Sequence, residues 1–128
     1  MTEPVWVPLP AIITIHDRQI SRHGGTPGLR DRGLLEAGCA RPLNRHAYDM
    51  DDVFELAAAY AFGIAKAHAF LDGNKRTAFV TAGAFLRMNG YALSLPQPDI
   101  VRHMEDLASD TIGEEAFAGW LKGGATRL

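Results

Sequence analysis

The sequence predicts an all-α protein, and two observations support this fold class. Two neighbouring segments, 53–67 and 77–89, are almost entirely apolar over a length typical of helices, which is expected of helices packed on several sides. Elsewhere, no run of residues alternates between apolar and polar side chains for long enough to indicate a β-strand. At 128 residues the chain has a common size for one domain, so we expect a single domain over 1–128.

The N-terminal part is expected to contain two helices separated by a loop. Residues 1–10 include three prolines and are predicted to be extended, whereas isoleucines recur through 11–22 as in an amphipathic helix. Three glycines and a proline within 24–28 predict a loop. A short helix is predicted over 31–42, where the first residue is an aspartate that can cap it. The following segment, 42–52, is predicted to be a loop or short hairpin beside the functional site.

The C-terminal part is expected to contain the two central helices and two further ones. Two aspartates precede 53–67 and favour a helix start there, while an Asn-Gly pair ends the helix at 77–89. Residues 91–98 are predicted to be extended. The terminal helices are predicted over 98–109 and 113–121, and the second of them carries large apolar residues inward.

Composition and charge exclude several classes of protein. With 13 Lys and Arg against 15 Asp and Glu, the net charge of −2 argues against a general binder of nucleic-acid backbones. Cys39 is the single cysteine, so it cannot form an internal disulfide and is expected to be a small buried residue. The chain shows neither a signal peptide nor an apolar run of roughly 18 residues that could span a membrane. We therefore expect a soluble, cytoplasmic protein with no membrane and no direct nucleic-acid partner.

Several polar and charged residues, which are unfavourable to bury, lie between the two central helices in the stretch HAFLDGNKRTAF at 68–79. His68 ends the first helix, and Lys75 and Arg76 begin the second. A helix start offers unpaired N–H groups and the positive end of the helix dipole, both of which favour anions. Together with the two cationic side chains, this helix start is expected to bind phosphate. Asp72 would repel phosphate unless a cation lay between them, which favours Mg²⁺. Because a neutral histidine can take a proton from an attacking hydroxyl, the set suggests phosphoryl-type transfer from a nucleotide.

Each of these residues also has a purely structural interpretation. His68 and Asp72 could cap helix ends, and Lys75 and Arg76 could belong to a solvated surface. These interpretations would all have to hold at one junction where buried polar groups need partners, which favours a functional site. The triplet His-Asp-Arg at 16–18 imitates only part of a protein-kinase loop, and the sequence has no Walker motif, dinucleotide-binding motif or zinc spacing.

The stretch resembles the motif of the Fic/Doc family, H-x-F-x-[D/N]-[G/A]-N-x-R, in the form of its Doc (death-on-curing) branch. Its positions are occupied here by His68, Phe70, Asp72, Gly73, Asn74, Lys75 and Arg76. Segments 15–42 and 85–93 are similar to the regions that flank the motif in that branch. The resemblance implies a compact, all-helical Fic/Doc-type bundle in which the motif loop joins the two central helices.

The resemblance also implies a role for each motif residue. His68 would be the general base, and Asp72 would bind Mg²⁺ that bridges the phosphates of ATP. The phosphates would be held by Gly73, Asn74, Lys75 and Arg76. Phe70 would pack in the core and fix the loop, and 43–50 would align the target chain, as the flap of the family does.

The Doc branch implies a more specific function. AMP-transferring relatives usually have glycine where this chain has Lys75, and a long cation there would fill a second phosphate pocket and favour transfer of the γ-phosphate. Doc-type proteins are toxins that phosphorylate a threonine of elongation factor Tu, halt translation and are held inactive by an antitoxin. Apolar residues of the outer helices, Phe117 and Trp120 among them, predict a groove for that antitoxin.

Two alternatives stay open at this point. The chain could be an AMP-transferase on the same fold, which Lys75 opposes, or a non-enzymatic module that only binds an antitoxin, which the intact His68 and Asp72 oppose. Two positions depart from the family pattern: Ala69, where many relatives have proline, and Val80, where the phage toxin has asparagine.

Overall fold

Six α-helices and one pair of short β-strands make up residues 3–128, the part of the chain that the computed structural model describes. In chain order the elements are α1 (Leu9–His23), α2 (Arg32–Ala47), α3 (Val53–Ala67), α4 (Asn74–Met88), β1 (Tyr91–Leu93), α5 (Gln97–Ala108), α6 (Glu114–Gly123) and β2 (Ala125–Arg127). The prediction of an all-α fold is confirmed, because the sheet consists of only two strands of 3 residues each.

Helix α3 lies at the centre of the fold and packs against α2, α4 and α6. Its start agrees with the prediction, since the Asp52 carboxylate caps it by accepting a hydrogen bond from the Phe54 N–H at 2.8 Å. Ala57, Ala58, Ala59 and Ala61 have no exposed surface, and their small side chains allow the neighbouring helices to approach closely. At the crossing with α2, a Cβ atom added to Gly63 would collide with the carbonyl group of Gly38, so the two backbones are in direct contact.

Helix α2 is longer than predicted, so the loop or hairpin predicted over 42–52 is wrong for 42–47, and only 48–52 lie outside a helix. The helix continues through Pro42, and only a short turn separates it from α3. Ion pairs with other helices support the part that follows the proline: Arg45 Nη1 lies 3.4 Å from a Glu55 carboxylate oxygen and 3.3 Å from one of Glu114. The proline by itself predicts a helix end, and these tertiary contacts, which the sequence does not reveal, override it.

The end of α2 also lies far from the motif. The turn that follows it meets the N-terminal end of α3, where His46 Nδ1 lies 3.1 Å from the Met50 carbonyl oxygen. His68 lies at the opposite end of α3, which has 15 residues and is therefore about 22 Å long. The placement of 43–50 beside the site, and with it the role of this segment in aligning a target chain, is therefore wrong.

The residues before α1 anchor the chain to the core. The indole of Trp6 stacks on the Phe85 ring with centroids 5.6 Å apart, and the Val7 N–H donates to the Tyr60 hydroxyl at 3.1 Å. Helix α1 begins at Leu9, slightly earlier than predicted, because prolines are compatible with the first turn of a helix.

The C-terminal helices agree with the prediction within a few residues, whereas the small sheet was not predicted. β1 and β2 pair antiparallel, with Tyr91 opposite Arg127, and such short strands show no alternation that a sequence pattern could reveal. Phe117 is fully buried, and Trp120 stacks on His103 with ring centroids 3.9 Å apart. These aromatic residues therefore belong to the packing of the fold and do not form the predicted groove. Within residues 3–128, no helix combines the length and hydropathy needed to cross a membrane.

Candidate active site

The motif loop, residues 68–73, joins α3 to α4 and begins with a residue in the left-handed conformation. His68 has φ 49° and ψ 40°, which ends α3 and turns the chain. Its backbone carbonyl accepts a hydrogen bond from the guanidinium group of Arg30, while its side chain stays exposed. The backbone of His68 is thus held in place and its imidazole remains accessible to a substrate.

A second segment, residues 24–31, runs alongside the motif loop, and we call it the glycine loop. The N–H groups of Arg30 and Asp31 both donate to the Ala69 carbonyl, at 2.7 and 3.0 Å, and the Leu71 N–H donates to a glycine-loop carbonyl at 3.1 Å. The sequence predicted a loop here but not its position beside the motif. The high density of glycines could have indicated this contact, because glycines let one backbone approach another closely.

Asn74 closes the motif loop through two hydrogen bonds to one residue. Its side-chain oxygen accepts from the Phe70 N–H at 3.1 Å, and its side-chain nitrogen donates to the Phe70 carbonyl at 3.0 Å. The Phe70 ring is buried and stacks on the imidazole of His16, with centroids 3.8 Å apart. The loop is therefore fixed both by paired backbone groups and by a ring inserted into the core.

The Asp72 carboxylate faces the glycine loop. One of its oxygens accepts a hydrogen bond from the Thr26 N–H at 3.1 Å, and the other accepts from the Gly73 N–H at 2.8 Å. The bond from Thr26 lowers the pKa of Asp72 most, the bond from Gly73 comes next, and the positive charge of Arg76 adds to both. The carboxylate is therefore ionised at neutral pH, and each oxygen keeps a lone pair for a cation.

The start of α4 supplies donors for an anion. Gly73 is the N-cap residue with φ 73°, and within residues 3–128 no side chain caps α4. Its first N–H groups, which have no partner within the helix, are therefore not satisfied by a cap. Lys75 is exposed, and Arg76 Nη2 donates to the Gly24 carbonyl at 3.2 Å. Two cations and a helix N-terminus therefore lie side by side.

These groups share one cleft of about 360 Å³. It is lined by Ala65, His68, Leu71, Asp72, Gly73, Asn74, Lys75 and Arg76. Every residue predicted to act in catalysis, metal binding or phosphate binding thus borders the same space, and Phe70 lies in the core beneath it. Such a cleft can hold a chain of phosphates between a general base and the start of a helix.

Asp72 is the carboxylate of the cleft that could bind a metal ion. Among residues 3–128, no three or more His, Cys, Asp or Glu side chains are grouped so as to hold a metal by themselves. A single ionised carboxylate beside a phosphate site fits Mg²⁺, which is usually bound by one or two carboxylates together with phosphate oxygens and water. It does not fit zinc, which takes three or four protein ligands.

An apolar groove of about 410 Å³ adjoins the cleft, and we call it the α1–α4–α5 groove. Lys75 and Arg76 line both spaces, so the groove adjoins the cleft at the start of α4. Its apolar lining comes from Phe79, Val80, Ile100, Val101 and Met104. The groove can accept the apolar part of a ligand or of a partner protein.

Two residues that contact the motif were missed by the sequence analysis. Nothing in the sequence indicates the contact of Arg30, because arginines are common in surface loops. His16 is buried, and its Nε2 lies 2.7 Å from the Asp72 carbonyl oxygen. His16 follows the buried Ile12 by four positions, so it lies on the apolar face of α1. A polar residue at such a position could have indicated a buried histidine with a specific partner.

The chain matches known proteins over the region that contains this site. The sequence profile of the Fic/DOC family matches residues 6–86. The chain is 48% identical over 80 residues to "Protein kinase doc" of Escherichia phage P1, an alignment that covers 62% of this chain and 64% of that protein. It is 43% identical over 74 residues to "Toxin Doc" of Mycolicibacterium smegmatis, covering 56% of each. The chain thus spans less than two thirds of the length of these relatives. Because the family match covers well over half of the chain and the whole motif loop, the protein belongs to the Fic/DOC family.

Proposed function

We propose that the protein is a Doc-type toxin that transfers the γ-phosphate of ATP to a threonine hydroxyl of elongation factor Tu and thereby inhibits translation. The observation that carries the proposal is the arrangement of His68, Asp72 and the start of α4 around one cleft. Two relatives, one named a protein kinase and the other a toxin, support the same class of reaction and role.

In the proposed mechanism His68 is the general base. Its exposed imidazole accepts the proton of the threonine hydroxyl while the hydroxyl oxygen forms a bond to the γ-phosphorus. The bond between the γ-phosphorus and the oxygen that bridges it to the β-phosphorus breaks, and ADP leaves with that oxygen. The hydrogen bond from Arg30 to the His68 carbonyl supports this role, because it fixes the backbone from which the imidazole projects.

The start of α4 binds the phosphates. The N–H groups of Gly73 and Asn74 project from the start of α4, so the backbone fixes the direction in which they can donate to phosphate oxygens. The Gly73 N–H must give up its bond to the Asp72 carboxylate when it binds a phosphate oxygen. Lys75 and Arg76 neutralise the same charge, and Asp72 would hold Mg²⁺, which supplies a further positive charge to the phosphates when bound.

Lys75 favours transfer of the γ-phosphate over transfer of AMP. Its side chain is exposed between the cleft and the α1–α4–α5 groove, and a flexible cation there can pair with a phosphate bound in the cleft. The resemblance to AMP-transferring relatives, which have glycine at this position, implies that Lys75 occupies the space of their terminal phosphates. The phosphate next to His68 is then the terminal one. An AMP-transferase is the alternative, with the α-phosphate next to His68.

Mass spectrometry of the target tests the proposal. Elongation factor Tu is incubated with the protein, Mg²⁺ and ATP, and we expect the mass of one phosphate on a threonine. The matched sample with the His68→Asn variant should show no modification above background. The mass of an AMP group would favour the alternative reaction, and an unmodified target despite tight nucleotide binding would contradict the choice of elongation factor Tu. Failure to bind Mg–nucleotide at all would support a non-enzymatic module.

We further propose that an antitoxin segment inhibits the protein by covering the α1–α4–α5 groove. Val101 lines this groove with 51% of its surface exposed, and Lys75 and Arg76 lie at its cleft end. These features suit a segment that folds as a helix with an apolar face and carries a carboxylate. Such a segment would end at the phosphate site and thus block it.

Binding to the product of the neighbouring gene tests this partner. Val101→Glu should weaken the complex at least about tenfold, because it places a charge on the apolar surface. Met88→Glu is the matched control, since Met88 is a similarly exposed apolar residue, 42% exposed, outside the groove lining. Equal weakening by the two variants would contradict this binding site. A neighbouring product that neither binds nor restores growth would contradict the toxin–antitoxin assignment.

A further inference from the structure

We infer that His16 is a positioning residue that fixes the orientation of the peptide group between Asp72 and Gly73. That peptide group carries one of the N–H donors of the phosphate site, so the catalytic consequence of the inference rests on the proposed function. The structural part concerns contacts within the protein itself and can be tested without a nucleotide.

His16 contacts the motif loop in two independent ways. Its side chain is 1% exposed, and its Nε2 lies 2.7 Å from the Asp72 carbonyl oxygen. Since a carbonyl oxygen can only accept a hydrogen bond, Nε2 must carry a proton. The imidazole also stacks on the Phe70 ring, with centroids 3.8 Å apart and planes 10° from parallel. The ring is therefore held by Phe70 in the orientation that aims Nε2 at the carbonyl.

This hydrogen bond determines the direction of the next N–H group. A peptide group is planar and trans, so its C=O and N–H bonds point in opposite directions. The Asp72 carbonyl points inward to His16, and the Gly73 N–H therefore points outward, where it meets the Asp72 carboxylate at 2.8 Å. The donor thus lies on the side of the cleft instead of in the core.

Gly73 makes the peptide group easy to flip, which is why a positioning contact matters. Its φ is 73°, but glycine adopts negative φ about as readily. A flip would turn the Asp72 carbonyl toward the cleft and the Gly73 N–H away from it, so that an acceptor would face the phosphates in place of a donor. The bond from His16 stabilises the productive orientation, because after a flip the buried Nε2–H group of His16 would lack its partner, which is unfavourable.

Packing alone is the competing explanation, because a buried histidine that stacks on a phenylalanine could simply fill the core. Two substitutions separate the explanations. His16→Phe keeps an aromatic ring against Phe70 but removes the donor, whereas His16→Gln keeps an amide N–H donor near the position of Nε2 but removes the ring. Ile12→Val is the matched control, since it removes a buried methylene from the same face of α1.

The experiment measures the Gly73 and Asn74 amide resonances of the unliganded proteins by NMR, together with the affinity for the Mg²⁺ complex of a non-hydrolysable ATP analogue. In the wild type we expect a slowly exchanging His16 Nε2–H proton. His16→Phe should shift or split the Gly73 resonance and weaken binding of the analogue about tenfold, an effect of the size that one hydrogen bond can produce. His16→Gln should stay close to the wild type, and Ile12→Val should change neither readout.

Three results would overturn the inference: a wild-type ring protonated on Nδ1 only, unchanged Gly73 and Asn74 resonances in His16→Phe, or changes in His16→Gln as large as those in His16→Phe. The wild-type measurement decides the matter even if a variant does not fold. If the wild type binds no analogue while the resonances respond as expected, the proposed function fails and the positioning role of His16 stands.

Discussion

Replacing Gly25 by alanine should disturb the active site through Asp72. Gly25 has φ 119°, and a Cβ atom at this position would lie 2.7 Å from Asp72 Oδ2 and 3.0 Å from Ile20 Cδ1. Ordinary contacts of this kind begin at 3.4 Å. Either the carboxylate or the glycine loop must therefore shift by roughly 0.7 Å to relieve the overlap.

A shift of this size is enough to break the contact between the two loops. The hydrogen bond from the Thr26 N–H to Asp72 is 3.1 Å long, and N–H···O bonds longer than about 3.2 Å are weak. Because this bond lowers the pKa of Asp72 most, the pKa should rise toward its ordinary value in Gly25→Ala. Misplacing a catalytic group by about 1 Å can cost on the order of 100-fold in rate, so we expect phosphate transfer to fall roughly 10- to 100-fold.

Gly24→Ala is the matched control for this prediction. Gly24 also has a positive φ, 78°, but a Cβ atom there meets none of the described residues within 4 Å. Both variants incur the strain of a side chain on a residue with positive φ, about 1–3 kcal/mol, and only Gly25→Ala collides with Asp72. The assay compares transfer rates, melting temperatures and the Asp72 titration followed by NMR. Equal losses of rate in the two variants, or an unchanged Asp72 titration in Gly25→Ala, would refute the reasoning.

His68→Asn should lower transfer about 10²–10⁴-fold with little change in melting temperature, since asparagine tolerates the left-handed conformation. Asp49→Asn, at a left-handed residue remote from the cleft, should keep full activity, and an active His68→Asn would exclude His68 as the base. Gly63→Ala should lower the free energy of unfolding by about 1–3 kcal/mol, because it collides with α2. Gly83→Ala should instead raise the free energy of unfolding by about 0.5–1 kcal/mol, because its new methyl group would meet its nearest neighbour at 3.7 Å, an ordinary contact distance. Equal midpoints of urea unfolding for Gly63→Ala and Gly83→Ala would contradict the close helix crossing. The stability that ionised Asp72 contributes should be complete above the ordinary aspartate pKa of about 3.9 and should be lost as the pH falls through its lowered pKa. Asp72→Asn should remove that part of the acid dependence of the melting temperature. If the melting temperatures of Asp72→Asn and the wild type depended on pH in the same way, Asp72 would make no such contribution.

The sequence predicted the elements that local patterns determine. The apolar run that follows Asp52 predicted α3 with its correct start, because an aspartate cap and a long apolar segment are both local features. His68 and residues 72–76 were predicted to act together, and they line one cleft, because only six positions separate the end of α3 from the start of α4.

The failures have one physical cause, which is that tertiary contacts override or add to local patterns. Pro42 predicted the end of α2, but the ion pairs of Arg45 with other helices support the helix beyond it. The glycine loop was recognised as a loop, yet its hydrogen bonds to Ala69 and Asp72 join residues between 38 and 46 positions apart, which a single sequence does not reveal. The same holds for the contact of His16 with the motif.

The central claim is that the terminal phosphate lies next to His68, and labelled ATP tests it most directly. The protein is incubated with Mg²⁺, elongation factor Tu and ATP that carries the label at either the γ-phosphate or the α-phosphate. We predict that only the γ-label reaches the target, because in the proposed mechanism Lys75 occupies the space that AMP transfer would need, and that Lys75→Gly lowers this transfer sharply. Transfer of the α-label by the wild-type protein would contradict the claim.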